Sequence, residues 1–461
     1  MIRVGKTLGR AVVTATVVLA MVSAALAADP TTQDLAQQVQ QLQTKVDQLE
    51  AAQPATPPAT KVESPNVKAD FIPFTAGWDP NVGFVIRSDD GNFTFHPGIV
   101  ADFRNMTTYR QWLPPKGEGE TTSSGNDIQN GFDVTRMRLT FDGQFTKNLT
   151  YFVQFQDDQG QTFGLYDVFA QYHFSDTPLS LRVGQFKDFL WHERNISESR
   201  QLAIDRSLME ALLWGGTVSR TQGVALMYEK DRLRAQALID DGYNSLNTKF
   251  FDAGGVGAGV TGSSGVTPTD FGVGGRAEYA LIGDRTDKQN PFSVYDQFSS
   301  LGAKQNILVL GGGISYSQAD SNSILFHSLD LQYNNTNGFS AYAGYLATYR
   351  DLHANQGVPP GIYYDPGFVV QAAYLVTQKI EPYVRFDFTH LAPKSTTGLE
   401  NHDVPELTVG SNYYLYKQNL KISVDGIWLP NGSPVDSDAL GVLKDSGHDE
   451  FILRAQFQLA I

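Results

Sequence analysis

The 461 residues include no cysteine, which excludes a disulfide scaffold, thiolate catalysis and zinc or iron–sulfur sites built on cysteine. Charge is sparse at 18% of residues, and acids outnumber bases to give a formal net charge of −14. Loss of Arg3, Lys6 and Arg10 with an N-terminal leader would take that to −17, an unsuitable balance for a nucleic-acid partner. No apolar run after the first 27 residues is long enough for a membrane helix, so entry into a bilayer would have to be as a closed barrel.

Catalytic patterns are missing too. His192-Glu193 lacks the second histidine of a zinc-protease motif, and the other histidines are scattered at His96, His173, His327, His353, His390, His402 and His448. Asp89-Asp90-Gly91-Asn92 and Asp240-Asp241-Gly242-Tyr243-Asn244 lack the glutamate that completes a calcium loop and read as turns. The expectation is therefore no enzyme activity, no metal and no cofactor.

What is present begins with an export signal. Residues 1–27 carry a basic start, an apolar stretch from Ala11 to Val22 and Ala25-Leu26-Ala27, a small-residue cleavage site. Leu35, Val39, Leu42, Val46 and Leu49 then recur at alternating spacings of four and three, a narrow seam that predicts a self-associating coiled-coil helix over 28–53. Residues 54–81, with Pro54, Pro57, Pro58 and Pro65, read as a linker.

From residue 82 the chain is a series of strand-length segments rich in Phe (28 in the chain) and Tyr (20), which suit strands and membrane interfaces. Met137, Leu139 and Phe141 share one face against Arg136, Arg138, Thr140 and Asp142, and the turn at Lys147-Asn148 leads into a second alternating strand, Leu149 to Phe155. The last residues alternate as cleanly, with Phe451, Leu453, Ala455, Phe457 and Leu459 opposite Arg454, Gln456 and Gln458. About sixteen such strands are expected, with short turns alternating with long loops at 105–131, 188–220, 241–270, 350–366, 391–404 and 430–449. The implied fold class is all-β: a transmembrane antiparallel barrel over 82–461, apolar face to lipid and polar face to the lumen.

Phe132-Asp133-Val134-Thr135-Arg136-Met137-Arg138-Leu139, the Tyr151 to Asp158 strand and Leu181-Arg182-Val183-Gly184-Gln185-Phe186-Lys187 resemble the phosphate-selective porin O and porin P family. That resemblance implies a sixteen-stranded, usually trimeric outer-membrane channel for anions, with Arg136, Arg138 and Arg182 on lumen faces. It also implies that 188–220 is an inward loop narrowing the pore, through Arg194, Arg200, Asp205, Arg206 and Glu210. Alternation places Arg234, Arg276, Arg385 and Arg454 on the lumen with Asp142, Asp158 and Asp167, so signs are mixed where the family's best-known members are densely cationic. A short helix is expected near 199–213 in the loop, bearing Leu202, Leu208 and Leu212.

The function expected is passive diffusion of small hydrophilic solutes or anions across an outer membrane, by a lipid-embedded homo-oligomer. The rival reading is a tether, in which the coil contacts the cell wall and the barrel is its anchor.

Overall fold

A computed structural model of the chain describes residues 72–79, 83–110, 128–157, 163–215, 220–242, 270–286, 289–319, 321–353, 360–392, 403–433, 440–443 and 448–461, with five isolated positions between 40 and 48. The leader, the coiled coil, most of the linker and Asp158 thus lie outside the described residues. The chain divides into two units, residues 1–71 and 72–461, and the second carries the strands.

Alternating side chains drive that unit into eighteen strands: β1 (Phe74–Asp79), β2 (Gly83–Ser88), β3 (Thr94–Arg110), β4 (Ile128–Thr146), β5 (Leu149–Asp157), β6 (Gly164–His173), β7 (Leu179–Phe186), β8 (Thr221–Lys230), β9 (Leu233–Asp240), β10 (Phe271–Ile282), β11 (Ile307–Ala319), β12 (Asn322–Asn334), β13 (Phe339–Leu352), β14 (Gly361–Tyr374), β15 (Ile380–His390), β16 (Asp403–Tyr416), β17 (Leu420–Leu429) and β18 (Glu450–Ala460). From β3 onward each strand pairs antiparallel with its sequence neighbour. β18 returns to β3 in register from Glu450↔Arg110 to Ala460↔Val100, closing a barrel of sixteen strands. Closure gives each of β3–β18 a partner on both edges, the condition for crossing lipid as a sheet.

The side-chain period of two then sorts the faces. Phe451, Leu453 and Phe457 of β18 are exposed on the outside, whereas Arg454, Gln456 and Gln458 are buried on the lumen side. The same holds on β4, where Met137 faces out and Arg138 is buried inward.

Three boundaries differ from the sequence expectation. β1 lies inside the expected linker, where it pairs with β2 from Phe74↔Ser88 to Asp79↔Gly83; the pairing gives this stretch a ladder that its composition did not announce. β3 and β4 extend into the expected 105–131 loop because polar residues continue the ladder: Asn105 Nδ2 donates to the Gly131 carbonyl at 2.9 Å, and Phe103 stacks on Phe132 at 5.7 Å. β13 and β14 likewise extend into 350–366, paired as far as Leu352↔Gly361.

The connections fall on two rims. One holds the long loops, including 187–220, but also the two-residue link 320–321 between β11 and β12. The other holds short turns such as 147–148 and 417–419, but also the 24-residue connection 283–306 between β10 and β11. The sequence reading did not single out that last segment.

Candidate functional site

Residues 187–215, leaving β7, turn into the barrel. Their composition explains why: Leu190, Trp191, Ile196, Leu202, Leu208, Met209, Leu213 and Trp214 are all buried, and a solvated loop would leave them wet. They pack on apolar lumen-facing residues of β12–β18, among them Phe326, Tyr342, Leu346, Val369, Tyr383 and Ile452. Each large side chain so buried contributes about 1.5–3 kcal/mol. Two glycines on the wall make room: a Cβ on Gly344 would lie 2.5 Å from the Trp191 ring, and one on Gly367 would lie 2.5 Å from Met209 Cγ.

No continuous helix forms over 199–213. The segment has a single 3-10 turn (Glu198–Arg200), a turn of α-helix (Leu208–Glu210) and a wider turn (Ala211–Gly215). The barrel wall satisfies the intervening backbone instead. Carboxylates of Asp425, Glu406 and Asp387 accept from the N–H groups of Ile204, Leu208 and Met209 at 3.0–3.3 Å. Lys421, Asn412 and Arg385 donate to the carbonyls of Gln201, Leu202 and Asp205 at 2.7–2.9 Å. With these groups bound by side chains, no helical ladder is needed.

Ion pairs fix the turn's tip. Asp205 meets Arg104 of β3 at 2.6 Å, Arg454 of β18 at 3.1 Å and Arg136 of β4 at 3.7 Å. Glu198 is bound by Arg138 and by Arg206 at 2.8 Å, and Arg194 pairs with Glu210 at 3.3 Å. Of the expected loop residues, Asp205 therefore binds the wall, Arg206 and Arg194 brace the loop internally, and Arg200 is exposed.

The 283–306 connection enters from the opposite rim. Its Tyr295 stacks on His192 at 3.7 Å between ring centroids and donates to Asp330 at 2.7 Å, while the Phe298 N–H donates to the Arg200 carbonyl at 3.4 Å. Arg276, an expected pore-lining residue, is buried in this contact with Glu278, Asp330 and the Leu190 carbonyl. Arg385 and Arg454 are likewise buried against the loop, paired with Glu406 and Asp425. These three arginines hold the inward loop rather than line open space. The apolar run Pro291-Phe292 and Tyr295, with Phe298 beyond, was the missed signal for an inward segment.

Packing on the β11–β18 side leaves a cavity of about 470 Å³ against β4–β10. Arg138, Asp167, Arg182 and Arg234 line it, and Arg200 reaches it from the loop. Asp142 sits apart on the lumen face, bound to His96 Nδ1 at 2.9 Å. Five carboxylates line the cavity, and each is ion-paired: Asp167 with Arg220, Glu198 with Arg138 and Arg206, Glu229 with Arg285, Glu278 with Arg234 and Arg276, and Asp296 with Arg234. Among the described residues Arg182 and Arg200 are in no ion pair; Arg182 donates only to Gln171 Oε1, at 3.1 and 2.8 Å. Among the described residues no group of three or more His, Asp or Glu side chains is arranged to hold a metal ion.

Residues 118–286 match the family model for phosphate-selective porin O and P. The match spans the strands with the quoted motifs and the inward loop. Similar solved structures include OmpT of Vibrio cholerae, at 11% identity with 81% of this chain and 99% of that one covered and a TM-score of 0.47. DcaP of Acinetobacter baumannii, an outer-membrane channel, shares 9% identity over 81% of this chain and 99% of its own, at 0.49. OprB of Pseudomonas putida shares 11% over 81% and 95%, also at 0.49. No curated protein matches the chain in sequence.

Burial tunes the inward loop's own charges. It raises the Asp188 carboxyl to about 6, offset in part by hydrogen bonds from Leu190 N and Ser315 Oγ. It would raise Glu198 as well, but Arg138, Arg206 and Lys187 together hold that carboxyl well below the ordinary range. Burial also lowers His192, leaving a neutral ring whose Nε2 meets Gln332 Oε1 at 2.8 Å.

Proposed function

We propose that the chain is a homotrimeric outer-membrane porin, exported by its leader, for passive diffusion of small hydrophilic solutes with a preference for anions. The trimer and the periplasmic placement of residues 28–53 follow the family resemblance and the leader. The observation that carries the preference is the pairing in the cavity: among the described residues every lining carboxylate is held by a cation, and Arg182 and Arg200 are left to face the solute. An unpaired guanidinium in a narrow aqueous gap attracts anions and repels cations. A phosphate-selective channel of the family's best-known kind has a denser cationic lining, so the reading is a general preference for small anions.

Single-channel recording of the detergent-purified protein in a planar bilayer under a potassium chloride gradient tests this. Conducting steps with a reversal potential of chloride sign are expected. A reversal potential of potassium sign would refute the preference, and folded protein that never conducts would refute the pore.

A further inference from the structure

The cavity wall carries an apolar feature that a water-filled lumen does not require. Phe152 of β5 and Phe169 of β6 are half-exposed to it and stacked at 5.2 Å between centroids, 16° from parallel. Buried Phe186 and Phe189 back them, with Phe169 to Phe186 at 6.2 Å and Phe186 to Phe189 at 5.5 Å. The Arg182 guanidinium lies over this group, 4.2 Å from the Phe169 centroid and 5.6 Å from those of Phe186 and Phe189. Its Nε and Nη2 are used by Gln171, and its Nη1 has no hydrogen-bond partner among the described residues.

We infer that this shelf is a binding subsite for organic anions with a planar apolar body, the simplest being aryl carboxylates. The inference rests on the anion-favouring reading above and narrows it to a substrate class. A carboxylate suits the planar donors of a guanidinium, and a ring attached to it would lie against Phe152 and Phe169 in offset or edge contact. Inorganic phosphate suits the site less well. It presents acceptors on every side and sheds water only to many donors, whereas here a few donors meet a hydrocarbon wall.

The test titrates single channels of the full chain, in symmetric potassium chloride, with sodium benzoate, sodium acetate and inorganic phosphate. Benzoate is expected to interrupt the chloride current at about one-tenth of the acetate concentration, the margin that partial burial of a ring provides. Phosphate is expected to be weaker than benzoate. In Phe169→Leu, which keeps an apolar side chain without the ring, the benzoate-to-acetate ratio should fall toward one; Phe152→Leu serves if that variant does not assemble. Equal block by benzoate and acetate, or stronger block by phosphate, would overturn the subsite while a chloride-sign reversal potential left the anion reading standing. A potassium-sign reversal potential would instead strike the anion reading itself. If channels do not conduct, saturation-transfer NMR on the detergent-purified protein reads benzoate ring contact directly, and no transfer would overturn the inference.

Discussion

Replacing Arg182 and Arg200 by glutamine removes the two charges of the cavity that are in no ion pair among the described residues, without changing its volume much. A space of about 470 Å³ has an equivalent radius of roughly 5 Å, at which a wall charge acts on an ion in water with about 0.8 kcal/mol. Screening at 0.1 M salt reduces this to about 0.5 kcal/mol. An anion then gains about twofold in occupancy and a cation loses about twofold, so each arginine contributes about a fivefold chloride-over-potassium ratio. The two single variants are expected to show similar losses, and the double variant a product near 25-fold, as for independent sites. Reversal potentials under a fixed gradient measure the ratios, with unitary conductance confirming that the loop is in place. A double variant as chloride-selective as the parent would refute the argument, because it would mean that the ion-paired groups set the field.

Three further outcomes follow from the loop. Glu198→Gln should destabilise its docking by about 3–5 kcal/mol, since Arg138, Arg206 and Lys187 lose a shared buried partner; thermal unfolding in detergent reads this, and chloride selectivity should rise rather than fall. Asp188 has a folded value of about 6 against 3.8 for the free carboxyl, so its contribution is fully present below about pH 4 and lost as pH rises through 6, up to about 3 kcal/mol. Melting curves should show that loss, and Asp188→Asn should flatten it; an unchanged slope would dismiss Asp188 as its source. Glu198, held low, acts in the opposite direction and only below about pH 4.5, where its contribution is lost as pH falls. Gly344→Val would drive a methyl into the Trp191 ring and Tyr342 hydroxyl, costing about 1–3 kcal/mol, and should raise conductance and open-channel noise.

The barrel was legible in the sequence because strands such as β4, β5 and β18 alternate cleanly, and a period of two leaves one arrangement of faces. The same period puts Arg138 and Asp167 on the inner face beside the cavity. Less visible was that β12–β17 carry Phe326, Leu346, Val369 and Ile427 inward among their polar residues, so the lumen face where the loop docks is partly apolar. The helix expected at 199–213 failed because spacing cannot reveal that Asp425, Glu406 and Asp387, some two hundred residues away, capture its backbone. Nor can it show which charges are spent: Arg182 and Arg276 look alike in sequence, yet one faces the cavity and the other is locked between Glu278 and Asp330.

Asp205 has a bearing on how the molecule is assembled. Arg104 and Arg454 belong to β3 and β18, the strands whose pairing closes the ring, and Asp205 touches both. The latch can therefore be completed only after the two ends of the sheet have met. Until then Asp205 has Arg454 within reach on one side of the seam and lacks Arg104 and Arg136 on the other. The three-way ion pair of Asp205 thus ties the loop across the seam and links its full docking to a sealed cylinder.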